Sequence, residues 1–173
     1  MISPLAITLT VVSQIADSLK LPDQTIMPFV IIQTPRDLKV MSALTQNDVD
    51  KTRLFSHDLP DFIKKSQAHT AIFVSTMHFT EHKLPENFTE LPRSSSGQIL
   101  YEHLPPAKRT ITAQEMLVVI EVTAKGYTVY TSKIIRSADL PPLFEKLSLA
   151  PHAEAYLYED VQNALQSVAR SSL

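Results

Sequence analysis

The sequence predicts an α+β fold, a mostly antiparallel sheet of about five strands (two hairpins plus a central strand) packed by N-terminal and C-terminal helices. Three observations carry this. Gln114 to Ser137 reads QEMLVVIEVTAKGYTVYTSKIIRS, two runs rich in β-branched and aromatic residues that meet at Lys125-Gly126, which is hairpin patterning. His69 to Phe79 (HTAIFVSTMHF) is apolar on both faces in its first half, as a strand inside a sheet is. Leu157, Val161, Ala164, Leu165 and Val168 recur at i, i+4, i+7, i+8 and i+11, the stripe of an amphipathic helix.

Taken in order, Ser3-Pro4 starts a helix, with Ser3 as N-cap and Pro4 at the first helical position. Leu5, Leu9, Val12, Ile15, Ala16 and Leu19 supply its apolar stripe, and Leu21-Pro22-Asp23 ends it. Met27–Thr34 reads as a strand led by Pro28, a residue that suits a strand start or a sheet edge. Pro35-Arg36-Asp37 has turn chemistry, and Leu38–Leu44 reads as the returning strand. Asp58-Leu59-Pro60-Asp61 opens a helix with Asp58 near the N-cap, and a separate helical turn precedes it around Asp48 to Phe55.

Thr80 to Thr112 carries four prolines and the run Ser94-Ser95-Ser96-Gly97. It reads as one long irregular segment, with a short strand at Gln98–Tyr101, inside a single domain covering residues 1–173. In the hairpin that follows, a two-residue loop at Lys125-Gly126 would set Glu115 opposite Arg136, Leu117 opposite Ile134, Val119 opposite Ser132 and Glu121 opposite Tyr130. Met116, Val118, Ile120, Val122 and Ala124 make the core-side face, because that run has no polar member. Pro141-Pro142 breaks the second strand, and Leu143–Leu147 reads as one helical turn. Glu159 and Asp160 suit the start of the last helix, where its dipole is positive.

Composition excludes several classes of function. The chain has 173 residues, 44% of them hydrophobic, enough to bury a core without staples. A formal charge of −2 argues against a dedicated nucleic-acid binder, which usually shows a basic face. There are no cysteines, which removes disulfides, thiolate metal sites and cysteine nucleophiles, and fits a reducing compartment. Two glycines leave no glycine-rich nucleotide loop. No run of about 18 apolar residues and no secretory leader is evident, so a soluble, cytoplasmic protein without membrane partners is expected.

Residues able to do chemistry are few. His78 and His82 flank Glu81, but on a strand residues i and i+4 lie about 13 Å apart, too far to share a metal unless the chain turns at Thr80. No metal is therefore expected, with His78 and His82 as the alternative pair. Glu115, Glu121 and His78 are the candidate catalytic residues, since paired carboxylates do acid–base work when burial raises one pKa. Arg109, Tyr130 and Arg136 are the candidate binding residues. A solvated sheet face with a Glu115–Arg136 pair is the structural alternative. Ser94-Ser95-Ser96-Gly97 fits neither a nucleophile elbow nor a phosphate loop, and no cofactor is expected.

The order of elements resembles that of many small bacterial or phage α+β proteins: a Pro28-led strand, a short helix, the Ala71-Ile72-Phe73-Val74 strand, a proline-rich stretch and a hairpin. The resemblance is one of size and composition, and it implies no activity and no residue role. The leading functional expectation is a non-catalytic binding or interaction protein, self-associating as a homodimer or with an unknown protein partner. Its motive is the second hairpin face, where Leu117, Val119, Ile134 and Tyr130 need a cover. The alternatives are a hydrolase-type enzyme using His78, His82 and Glu115, and a phage-type accessory protein that regulates or inhibits a macromolecule.

Overall fold

The computed structural model describes residues 3–21, 24–82, 111–150 and 158–171, with the backbone alone at 78–82 and 111–113. Two compact units result: Met1–Met77 together with Met116–Leu173, and His78–Glu115. The expected strand at Gln98–Tyr101, the Ser94–Gly97 loop, Arg109 and Leu157 lie outside the described residues.

The class is α+β, with more strands than expected. The elements are α1 (Pro4–Ser18), β1 (Phe29–Gln33), β2 (Leu38–Ser42), α2 (Asp48–Arg53), a π-helical turn (Leu54–Asp58), α3 (Leu59–Ser66), β3 (Thr70–His82), β4 (Ile111–Thr123), β5 (Gly126–Ile135), β6 (Leu143–Phe144), β7 (Ser148–Leu149) and α4 (Glu159–Ser171). The sheet runs β2-β1-β3-β4-β5-β6, with β7 also paired to β5. β3 lies inside the sheet, as its doubly apolar pattern requires. β3 and β4 extend to His82 and from Ile111, so both ends of the segment read as irregular, Thr80–Thr112, are strand. Among the described residues no helix is long and apolar enough to cross a membrane.

The larger unit has a core on each face of the sheet. On one side Val30, Ile32, Ala71, Phe73, Val118, Ile120, Val122 and Val129 pack under Phe55, Leu59 and Ile63 and under Val161, Ala164, Leu165 and Val168 of α4. The last four are the apolar stripe read from the sequence. On the other side Ile31, Ile72, Val74, Leu117, Val119 and Ile134 pack under Ile7 of α1 and under Leu19, with Val11, Val12 and Ile15 partly buried beside them. The hairpin face that needed a cover is therefore covered by a helix of the same chain.

Ser3 caps α1, accepting a hydrogen bond from the Ala6 amide at 3.2 Å. The helix is rotated from the expected stripe: Ile7 and Thr8 are buried, while Leu5 and Leu9 face solvent. The reason is polar. Thr8 points inward to meet a carboxylate on β4, a partner that a hydrophobic periodicity cannot register.

Asp48 to Ser66 is one helical run with a π turn in it, not two helices. Asn47 caps it, accepting from the Asp50 amide at 2.8 Å. Asp58 is helical and makes no capping bond, against expectation. Pro60 explains the π turn. In a straight α-helix its ring would press on the carbonyl of Ser56. Widening the ladder, so that the Leu59 amide reaches the Leu54 carbonyl, lets the helix run on. Gln67 ends α3 in the left-handed region, at φ 54° and ψ 39°.

The second hairpin turns at Ala124-Lys125, one residue earlier than expected, so Thr123 pairs with Gly126. Leu117 faces Ser132, Val119 faces Tyr130 and Glu121 faces Thr128. β5 ends at Ile135, short of Arg136. A slip of two in pairing preserves which residues share a face, so the predicted core side survives. The physical reason lies in backbone conformation. Neither turn residue takes positive φ, and the one strained position falls on Gly126 at φ 149°. The Thr123 hydroxyl braces the turn, accepting from the Lys125 amide and donating to the Gly126 carbonyl. Leu143–Leu147 is not a helical turn. Leu143–Phe144 pairs with β5, and the Glu145 amide donates to the Lys133 carbonyl at 2.9 Å.

Candidate functional site

Glu121 is a buried candidate carboxylate on β4. It is 7% exposed on β4, and Thr8 Oγ1 donates to its Oε1 at 2.6 Å. Burial raises its pKa above the ordinary 4.5, and the Thr8 hydrogen bond pulls it back. Tyr130, on the same face of the neighbouring strand, has its phenol pKa raised by burial and then by the charge of Glu121. The Thr8–Glu121 bond ties α1 to the sheet. Both residues are buried in a core, which is the setting of a satisfied buried polar group.

The other candidates fall elsewhere in the chain or outside the described residues. Glu115 is half-buried on β4 in the smaller unit. β3 stays extended through Thr80, so the turn that would have brought His78 and His82 together does not occur there. Their side chains, like Arg109, lie outside the described residues. Among the described residues no group of three His, Asp or Glu is placed to hold a metal. Arg136 is exposed, and its guanidinium donates to the Gln24 carbonyl at 2.8 Å, anchoring the segment before β1.

The feature that sequence reasoning missed is the outer edge of β2. β1 pairs with β2 as Val30↔Met41, Ile31↔Val40, Ile32↔Lys39 and Gln33↔Leu38. Two flanking bonds set the phase of the ladder. The Thr34 amide donates to the Asp37 carbonyl and the Ala43 amide to the Pro28 carbonyl, both at 2.9 Å. Hydrogen-bonded pairs alternate in an antiparallel ladder, so Asp37, Lys39, Met41 and Ala43 turn their backbone groups toward β1. Leu38, Val40 and Ser42 must then turn theirs outward. Among the described residues nothing pairs with that side, and β2 ends the strand order.

The same three residues share one side-chain face, the α1 side, and α1 does not reach them. Val40 is 68% exposed and Leu38 46% exposed. On the opposite face β2 is partly covered. Met41 joins the α3 and α4 core, and the Lys39 ammonium lies 5.4 Å from the centre of the Phe62 ring. The edge thus offers donors, acceptors and apolar side chains together.

A cleft of about 420 Å³ lies at one end of this edge, lined by Gln33, Thr34, Pro35, Arg36, Asp37, Leu38 and His69. The Thr34 hydroxyl is used inside the turn, accepting from the Arg36 and Asp37 amides and donating to the Asp37 carboxylate. The His69 amide donates to the Gln33 carbonyl at 3.0 Å. The turn is thereby held rigid, with Leu38 as the apolar wall of the recess.

Comparison with protein-family models, with curated proteins and with solved structures finds no match.

Proposed function

We propose that this chain is a non-catalytic interaction protein that takes an extended partner segment on the open edge of β2. The observation that carries this is the coincidence at Leu38, Val40 and Ser42 of outward backbone groups with an uncovered apolar face. Strand addition uses those two elements: main-chain hydrogen bonds supply affinity, and alternate side chains supply selectivity. The rigid cleft beside Leu38 gives a docked segment a recess for one side chain. The cysteine-free composition supports a reducing, cytoplasmic setting for the encounter.

Selection of extended peptides from a displayed random library tests the proposal, with Val40→Pro as the control. Proline at Val40 removes an outward N–H and no bond of the β1–β2 ladder. Wild type should enrich peptides alternating β-branched and polar residues. Val40→Pro, checked by circular dichroism for a retained fold, should lose at least about tenfold in affinity, since each hydrogen bond lost is worth about 1 kcal/mol and the bulky ring also blocks close approach. Binders that hold Val40→Pro and Val40→Lys as tightly as wild type would overturn the proposal, as would a library that yields no binders.

A further inference from the structure

Resting on the docking role of β2, we infer that the segment it takes is β2 of a second copy, related by a twofold axis through Val40. The strand's own sequence carries the argument. β2 reads Leu38-Lys39-Val40-Met41-Ser42, and antiparallel self-pairing about its centre sets Val40 against Val40, Leu38 against Ser42, and Lys39 against Met41. Lys39 is the strand's single charge, and this register keeps the two lysines from facing each other, where like charges destabilise a pair. A second copy meets that condition because Lys39 lies one residue off the axis.

The backbone phase agrees. The residues whose amides and carbonyls point outward are Leu38, Val40 and Ser42, which are the positions that twofold pairing about Val40 makes hydrogen-bonded pairs. About six inter-chain hydrogen bonds follow, two at the Val40 pair and two at each Leu38–Ser42 pair. The strands are of equal length, so no outward group of the five residues is left over. The apolar side chains agree too. Val40 meets its mate on the α1 side of the sheet, with Leu38 diagonal to it, and these are the two exposed apolar residues of the strand. A formal charge of −2 per chain adds little repulsion. Two five-residue strands bury less than a stable obligate interface needs, so the pair forms reversibly, in the micromolar range or above.

The chain has no cysteine, which makes a direct test available. In a hydrogen-bonded antiparallel pair the facing Cα atoms are about 5.5 Å apart, inside the range a disulfide spans. Under a mild oxidant Val40→Cys should therefore cross-link to its own mate. Leu38→Cys should be at least about tenfold slower, because its mate lies about 13 Å further along the strand. The double variant Leu38→Cys with Ser42→Cys should restore fast linkage. Sedimentation of wild type from about 10 µM to 1 mM should show a concentration-dependent dimer that Val40→Lys abolishes.

Leu38→Cys linking as fast as Val40→Cys would overturn the twofold register. Wild type remaining a monomer at the highest concentration, with no Val40→Cys product, would overturn self-pairing altogether. That second result together with peptides selected through β2 leaves the docking role standing with a foreign strand as occupant. With no selected peptides either, both readings fall.

Discussion

Replacing Thr8 with valine isolates a buried polar contact that joins α1 to the sheet. Valine has the same shape and β-branching, so packing and helix propensity scarcely change. What disappears is the donor at 2.6 Å from the Glu121 carboxylate, in a place where Thr8 is fully buried and Glu121 nearly so. A hydrogen bond to a charged group is worth about 1.5–3 kcal/mol. For a chain of this size that lowers Tm by about 3–12 °C.

The pH dependence distinguishes this contact from a packing defect. Burial raises the Glu121 pKa above 4.5 in the folded protein, so the folded state prefers the protonated acid. Below about 4.5 the group is protonated in both states, and no charge-burial cost arises. As pH rises through the folded pKa the buried charge appears and stability falls. The Thr8 bond offsets part of that cost. Thr8→Val should therefore lose most at neutral pH and only about 1 kcal/mol below pH 4.5, as for a neutral pair. In a Glu121→Gln background the loss at neutral pH should shrink to the same value. Calorimetric or circular-dichroism melts of the four variants at both pH values measure this. An unchanged Tm for Thr8→Val at neutral pH, or an equal loss at both pH values, would refute the reasoning.

Three further outcomes follow from the geometry. Gly126→Ala and Gly126→Val should both cost about 1–3 kcal/mol, because the strain is in the backbone at φ 149°; an added Cβ meets no atom within 4 Å, so wild-type melts for both would remove the turn as described. Gln67→Gly should raise Tm by about 2–4 °C, since Gln67 holds the left-handed position that ends α3, and a fall would show that its side-chain bond to the Lys64 carbonyl outweighs the strain. Tyr158 packs edge-on to Phe55 and against Phe73, and burial pushes its phenol up to about 12. Tyrosinate absorbance should therefore include a step near pH 12 from Tyr158, with stability falling from pH 10 toward 12 as its charging is forced, and Tyr158→Phe should lose that step.

Much of the architecture is legible in local patterns, and the misses share a cause. Ser3 as a cap, the first hairpin, the inner position of β3 and the α4 stripe each depend on residues a few places apart. The second hairpin's faces are equally local, since alternation alone sets them. Its register depends on where a single strained backbone position falls, and Gly126 takes it just after the turn rather than within it. The rotation of α1 depends on Thr8 finding Glu121, which is 113 residues away. The π turn depends on a helix continuing through Pro60, which packing of Phe55, Leu59 and Ile63 rewards and local propensity opposes. The β2 edge was hidden for a topological reason. Leu38, Val40 and Met41 look like any half-buried strand until the strand order puts β2 at the end of the described sheet.

The two edges of the sheet differ in a way that bears on function. An exposed edge invites unwanted pairing, and proteins usually blunt it with short strands, turned charges or a covering segment. The β5 edge is blunted. β6 and β7, two residues each, pair along it, the Ala150 amide donates to the Val129 carbonyl at 2.8 Å, and the Ser132 hydroxyl donates to the Glu145 carbonyl. Among the described residues no segment covers the β2 edge, a five-residue strand. It carries no proline, and its one lysine is drawn to the far face against Phe62, away from the side where Val40 stands exposed. That one edge is capped by two short strands while Val40 stands exposed on the other is the contrast on which the proposed docking role rests. The hairpin face that first called for a partner is covered by α1, which leaves the exposed Leu38 and Val40 of β2 as the apolar surface the proposal uses.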